Sequence, residues 1–170
     1  METNRLIIDS VNLADKENYF LNISHDKRVL ETFICNYCEN INDFDFSKYL
    51  NRDDIFAIRL KENKKLIGIL TIFPMDDKNI EIGYGIGSSY WNNGYATEAV
   101  KCFLKYLFNE RKQETIYASF FPENVASKRI MEKVGMRYSH TNIEELTYLG
   151  IKRDLIYYKI NKNDYLSDNN

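Results

Sequence analysis

The chain carries no excess of positive charge: 23 lysines and arginines stand against 25 aspartates and glutamates, with an isoelectric point near 5.8. Nucleic acid and anionic membranes are held chiefly by basic surface, so neither is an expected partner. Long apolar runs are missing as well. The longest, Leu66 to Phe73, is broken by Gly68 and Thr71 and falls far short of the roughly 20 residues that cross a bilayer. Met1 to Ile8 holds no apolar segment of a secretory leader, and a cytoplasmic protein is expected. Cysteine is scarce and odd in number, three in all, and histidine is scarcer still, with only His25 and His140. That composition fits a reducing compartment better than a disulfide framework. Cys35-Asn-Tyr-Cys38 matches C-x-x-C, but no second pair follows to complete a zinc site. No metal is expected, and the cysteines read as small apolar residues on a helix.

With 170 residues the chain suits a single domain, expected over 1–160, with 161–170 as a polar C-terminal tail that frays. Periodicity orders the elements. Arg5 to Ser10 reads as a strand, Asn12 to about Cys38 as two irregular helices, and Glu39 to Asp54 as a loop or short helix. In that last stretch Asp43, Asp45, Asp53 and Asp54 interleave with Phe44, Phe46 and Tyr49, a sign that favours a cationic substrate. Ile55 to Leu60 and Leu66 to Phe73 form a hairpin, and Asn79 to Ile86 is a third strand. Thr115 to Phe120 is a strand, Asn124 to Val134 a helix closed by Gly135, Met136 to Thr141 a strand and Asp154 to Ile160 the last. Paired strands followed by strands separated by helices predict an α+β fold, a mixed α/β sheet with helices on both faces.

The stretch Tyr90-Trp91-Asn92-Asn93-Gly94-Tyr95-Ala96-Thr97 couples a polar turn to an amphipathic helix, with apolar residues at Ala96, Ala99, Val100, Phe103, Leu104, Leu107 and Phe108. The first turn of such a helix has unpaired N–H groups and a partial positive charge, so it can receive a phosphate without a basic side chain. The alternative is an ordinary strand-to-helix connection built from turn-forming residues. Gly83, Gly85 and Gly87 alternate at the end of the preceding strand, which signals a bulge or a close approach by another backbone or a ligand. A ligand bearing amides could extend such a strand while its phosphate end rests on the helix, and a pantetheine arm on a pyrophosphate has those groups. A dinucleotide fingerprint and a P-loop are both missing.

Taken in order, these motifs resemble the GNAT superfamily of N-acetyltransferases, in particular the branch containing the ribosomal-protein N-terminal acetyltransferases. The resemblance rests on Glu2-Thr3-Asn4-Arg5-Leu6-Ile7-Ile8, on Glu81-Ile82-Gly83-Tyr84, and on the turn from Trp91 to Ala96. It rests also on the helix from Asn124 through Ser127 to Gly135-Met136. The turn departs from the family at its first position, where tryptophan replaces glutamine or arginine. The resemblance covers residues 2 to about 160 and implies a twisted, mostly antiparallel sheet splayed where acetyl-CoA binds. It implies transfer of the acetyl group to a primary amine, on a protein N-terminus or a small molecule, and a homodimer is compatible with it.

Residue roles follow from the chemistry and the resemblance together. An amine must lose a proton before it attacks a thioester, and Glu81 is the candidate base; its alternative is a solvent-facing strand residue. Backbone N–H groups of Gly85 or Ile86 could stabilise the oxyanion. Tyr84, Gly85 and Ile86 would line the pantetheine, and Asn92, Asn93, Gly94, Tyr95, Ala96 and Thr97 the pyrophosphate. Asn124 caps its helix and, by resemblance, contacts a pantetheine amide. Lys128, with Arg129, would meet the 3′-phosphate. Many relatives place a tyrosine where this chain has Met131, so Ser127, one turn away, is the candidate donor to the leaving thiolate, against a passive helix serine. The acceptor pocket is expected from Ser24 to Asp54 and from the Thr141 to Arg153 loop. No cysteine has the setting of an acyl carrier, so transfer is direct. The contrasting possibility is a non-catalytic module that binds or senses acyl-CoA.

Overall fold

The computed structural model describes residues 1–146, 150 and 152–168. The strands are β1 (Leu6–Ser10), β2 (Ile55–Leu60), β3 (Leu66–Pro74), β4 (Asn79–Ile86), β5 (Thr115–Phe120), β6 (Arg137–Leu146) and β7 (Lys152–Asn161). They form a seven-stranded sheet in the order β1-β2-β3-β4-β5-β7-β6. β1 with β2, β2 with β3, β5 with β7 and β6 with β7 are antiparallel, whereas β4 and β5 are parallel. A parallel pair needs a long crossover, and α3 (Tyr95–Asn109) supplies it. The other helices are α1 (Lys16–Tyr19), α2 (Lys27–Leu30), α4 (Val125–Lys133) and α5 (Lys162–Asp168). Among the described residues no helix is long and apolar enough to cross a membrane. This is the expected mixed α+β fold. Backbone contacts gather into two compact units, Met1–Thr71 with Tyr84–Cys102, and Ile72–Gly83 with Phe103–Asn170.

In the first unit the register of β1 on β2 runs from Leu6 opposite Leu60 to Ser10 opposite Phe56, which puts Leu6, Ile8, Ala57 and Ile58 in the core with no exposed surface. Tyr19 packs among Phe44, Phe46 and Tyr49, with its ring 4.5 Å from Tyr49 and 5.5 Å, edge-on, from Phe46. The interleaving seen in the sequence is therefore aromatic-in, acid-out: Phe44 and Phe46 are buried while Asp43, Asp45 and Asp53 are exposed. Arg59, buried on β2, donates from Nε to Asp9 at 2.8 Å and from Nη2 to Asp15 at 2.8 Å. Asp15 also accepts the Asn12 N–H at 2.8 Å, which ties the first turn after β1 to the sheet. Removing the guanidinium would strand Asp15 and cost about 3–5 kcal/mol.

In the second unit Phe103, Leu104, Leu107 and Phe108 of α3 are wholly buried, as are Ile116 and Ala118 of β5 and Met131 of α4. The Asn124 carboxamide oxygen accepts the Ser127 N–H at 3.0 Å and caps α4. Gly135, at φ 88°, closes it, with Gly135 N–H donating to Glu132 O at 3.1 Å and Met136 N–H to Met131 O at 2.9 Å.

Three expectations are corrected. The two irregular helices expected over Asn12 to Cys38 are present but end sooner: a 3₁₀ turn (Leu13–Asp15), α1 and a π-helical turn (Phe20–Ser24) make the first, and α2, the second, stops at Leu30. Cys35 and Cys38 therefore lie on non-helical chain: the Cys38 N–H bonds the Ser24 carbonyl at 2.9 Å instead of a helical partner. The tail expected to fray is helical over Lys162–Asp168, anchored where the Lys162 N–H meets Glu114 O at 2.9 Å and the Tyr165 ring lies 4.9 Å from Phe108. Much of the expected Thr141 to Arg153 loop is strand, since β6 continues to Leu146 and β7 begins at Lys152; residues 147–149 and 151, like 169 and 170 of the tail, lie outside the described residues.

Candidate active site

The first unit builds the turn that precedes α3. Asn92 and Gly94 both take left-handed backbone angles, φ 61° and 78°. Glycine adopts that region freely, and asparagine more readily than most residues, so the Asn-Asn-Gly sequence has a direct backbone reason. The Asn93 side chain donates to Tyr90 O at 3.2 Å and Trp91 O at 2.9 Å, holding the turn from within. Gly94 O accepts the Glu98 N–H at 3.1 Å as α3 begins, so the N–H groups of Tyr95, Ala96 and Thr97 have no intrahelical acceptor. A left-handed turn leading into a helix start gathers backbone N–H groups into a concavity suited to an anion. Asn92, Asn93 and Gly94 are exposed and accessible to one.

Trp91, the departure from the family's turn, donates its indole N–H to Ile86 O at 2.6 Å. The tryptophan thus ties the end of β4 to the turn, a job that needs one N–H donor and not a positive charge. Asp26 Oδ2 accepts the Ser88 N–H at 2.8 Å from the other side. Burial would raise the Asp26 pKa, but its hydrogen bonds from Ser88 and Arg28 outweigh that and hold it below the usual carboxylate range. At two of these glycines the space is taken by side chains instead of another backbone: a Cβ on Gly87 would lie 2.8 Å from Asn22 Cβ, and one on Gly85 3.2 Å from the Phe33 ring. Tyr84 is half-buried, and Gly85 and Ile86 are buried.

The second unit holds Glu81. The β4–β5 register runs from Asn79 opposite Thr115 to Glu81 opposite Tyr117 and stops there, although both strands continue. Glu81 is half-buried. Ser119 Oγ donates to Glu81 Oε1 at 2.5 Å, and Ser119 lies opposite Tyr157 in the β5–β7 ladder. Tyr157 is buried and donates its hydroxyl to Glu145, 2.9 and 3.1 Å from the two carboxylate oxygens. Burial pushes the Glu81 pKa up; the Glu145 charge adds to this and the Ser119 hydrogen bond opposes it. Burial also raises Tyr157, with the Glu81 and Glu145 charges adding. A carboxylate held this way is a better base than one in water.

Ser119, Tyr157, Glu145 and His140 were not anticipated from the sequence. Two irregularities in the β6–β7 register, at Tyr138/His140 and at Asn142/Glu145, reset the strand's alternation. At the second, Glu144 has φ 49° and donates its N–H to Asp154 at 2.9 Å, and Glu145 meets Tyr157. Beyond the first, the His140 ring stacks on Tyr157 with centroids 4.6 Å apart. No periodicity count finds residues displaced by a bulge.

On α4, Ser127 and Met131 are buried one turn apart, and Lys128 lies 3.8 Å from Glu132. Burial raises the Cys35 thiol to about 12, which keeps it protonated and unreactive. Among the described residues no group of three or more histidine, cysteine, aspartate or glutamate side chains is arranged to hold a metal.

A mixed sheet whose parallel β4–β5 ladder stops short, with a turn and helix start between those strands suited to an anion, fits a domain of the acetyltransferase class. The family described as an acetyltransferase (GNAT) domain matches residues 5–137, and the chain belongs to it. It is 42% identical over 84 residues to the uncharacterized protein YkkB of Bacillus subtilis, a match covering 48% of this chain and 49% of that one; the chain thus spans about half the length of this relative. A GNAT-family acetyltransferase from Bacillus anthracis superposes with a TM-score of 0.84 at 28% identity, over 96% of this chain and 98% of the other. The spermidine N-acetyltransferase of Vibrio cholerae, solved with CoA and spermine, shares the fold with a TM-score of 0.79 at 18% identity, over 96% and 99% of the two chains.

Proposed function

We propose that the protein transfers the acetyl group of acetyl-CoA directly to a primary amine. The observation that carries this reading is the half-buried Glu81 carboxylate, hydrogen-bonded to Ser119 and raised in pKa, in a chain of the GNAT family. Backbone N–H groups from Asn92 to Thr97 would receive the pyrophosphate, with Tyr84, Gly85, Ile86 and Asn124 along the pantetheine and Lys128 near the 3′-phosphate. Glu81 takes a proton from the acceptor ammonium, and the freed amine attacks the thioester carbonyl. A backbone N–H of Gly85 or Ile86 stabilises the oxyanion. The C–S bond then breaks, and the Ser127 hydroxyl donates a hydrogen bond to the thiolate. The ammonium loses two protons on becoming an amide: the second passes to the thiolate to give CoA–SH, and Glu81 returns the first to solvent.

The acceptor is a small-molecule amine or a protein N-terminus, the latter following from the resemblance to the ribosomal-protein branch. Glu81 and Glu145 favour a cationic acceptor, and a polyamine is the acceptor-like ligand of the Vibrio cholerae fold neighbour. Met131 supports a second reading, a non-catalytic acyl-CoA module, because it fills the usual tyrosine position with a wholly buried apolar side chain. Thiol release from acetyl-CoA across a panel of polyamines, aminoglycosides, amino acids and peptides beginning with a free α-amine separates the two. Amine-dependent release is expected; acetyl-CoA binding without release across the panel would favour the module.

A further inference from the structure

One guanidinium in the first unit grips several residues of the anion-receiving turn. Arg5 Nη1 donates to Asn93 O at 3.0 Å, Nε donates to Glu98 Oε2 at 2.7 Å, and Nη2 pairs with the same oxygen at 2.6 Å. Its guanidinium carbon lies 4.5 Å from the centre of the Tyr95 ring, and a Cβ on Gly94 would sit 3.6 Å from Nη2. The backbone before β1 completes the grip. Glu98 Oε1 accepts the Thr3 hydroxyl at 2.5 Å and the Arg5 N–H at 3.0 Å.

We propose that Arg5 is a positioning residue for acetyl-CoA. It holds the Asn92–Thr97 turn in its anion-receiving shape before the cofactor arrives, and it cancels the Glu98 charge that would repel a pyrophosphate. This rests on the acetyl-CoA reading above. Two physical arguments support it. First, a turn with two left-handed residues is ordered at an entropic cost, and fixing Asn93 O with Arg5, just before β1, removes that cost from the binding step. Second, Glu98 suits the positive end of the α3 dipole but occupies the same field that a phosphate would use. Burial would raise its pKa, yet the Thr3 and Arg5 hydrogen bonds outweigh this and hold it below the ordinary range, so it is charged at neutral pH and needs a counter-charge. Lysine cannot replace the fork, since a single ammonium does not serve the Glu98 carboxylate and the Asn93 carbonyl in the same geometry.

The test combines calorimetric titration with acetyl-CoA and amide hydrogen exchange without it, on wild type, Arg5→Lys, Arg5→Ala and the double variant Arg5→Ala/Glu98→Gln. Arg5→Ala is expected to bind about tenfold more weakly, or about 1.4 kcal/mol, and Arg5→Lys to lose affinity in the same direction. The double variant should regain part of the loss by removing the stranded charge. Amides from Asn93 to Thr97 should exchange faster in Arg5→Ala, while those of β2 and β3 keep wild-type rates. Wild-type affinity in both single variants would overturn the proposal, and so would acceleration throughout the chain, which would mark Arg5 as structural only. Wild type that fails to bind acetyl-CoA would instead defeat the underlying cofactor reading, and the proposal with it.

Discussion

In the Asn92–Thr97 turn the groups proposed to meet the pyrophosphate are backbone N–H donors, exposed or half-buried and unable to titrate. Around Glu81 the groups are carboxyls and hydroxyls, partly withdrawn from water and coupled by charge. The turn takes its shape from two left-handed backbone angles, from the Asn93 and Trp91 side-chain hydrogen bonds and from the Arg5 guanidinium on Asn93 O. The Glu81 cluster takes its shape from four strands, β4, β5, β6 and β7. The difference teaches how the work is divided. Cofactor affinity should be nearly independent of pH and sensitive to backbone geometry, whereas turnover should follow a carboxylate and its hydrogen-bond partners.

The sharpest way to break that division is Glu81→Gln. Turnover on an acceptor found in the amine panel should fall by about a hundredfold or more, with the acetyl-CoA dissociation constant within about twofold of wild type. Equal losses in both would merge the two regions into one. Gly94→Ala should do the converse. A side chain at φ 78° costs about 1–2 kcal/mol of backbone strain, so acetyl-CoA affinity should drop about tenfold while turnover at saturating cofactor stays near wild type.

Smaller effects concern pH. Protonated Glu81 cannot accept the ammonium proton, so turnover should fall on the acidic side at a midpoint above the ordinary carboxylate range. Glu145→Gln removes a neighbouring negative charge and should move that midpoint down; Ser119→Ala removes the hydrogen bond that favours the carboxylate and should move it up. Shifts of the same sign in kcat profiles would contradict the arrangement. The smallest effect is on stability. A folded pKa raised above the reference 4.5 contributes stability at pH below the unfolded value, and that contribution is lost as pH rises through the folded one. Glu81→Gln should therefore melt above wild type at pH 8 and converge with it near pH 4.

What was legible in the sequence follows the same division. β4, β5 and the stripe of α3 from Ala99 to Phe108 coincide with expectation because alternation and the 3.6-residue period are local signals. The Asn124 cap and the Gly135 closure were readable for the same reason. Glu81 was readable as a candidate, but its face was not, because that depends on where β5 and β7 lie. Tyr157 and Glu145 were hidden by register and by a bulge, and Arg5 by a partner, Glu98, distant in sequence. The region after α2 misled because apolar spacing around Cys35 and Cys38 resembles a helix, while the Cys38 N–H goes to the distant Ser24 carbonyl. Trp91 departs from the family's turn, and its hydrogen bond to Ile86 O, visible only in three dimensions, explains the departure.

The most direct test of the central claim is thermal unfolding with acetyl-CoA, with NAD and ATP as controls. At about 100 times its dissociation constant acetyl-CoA should stabilise the fold by roughly 2.7 kcal/mol, a rise of several degrees for a domain of this size, and the controls should leave the midpoint in place. An unchanged midpoint at millimolar acetyl-CoA would contradict the account and leave the family fold without the cofactor chemistry assigned to it.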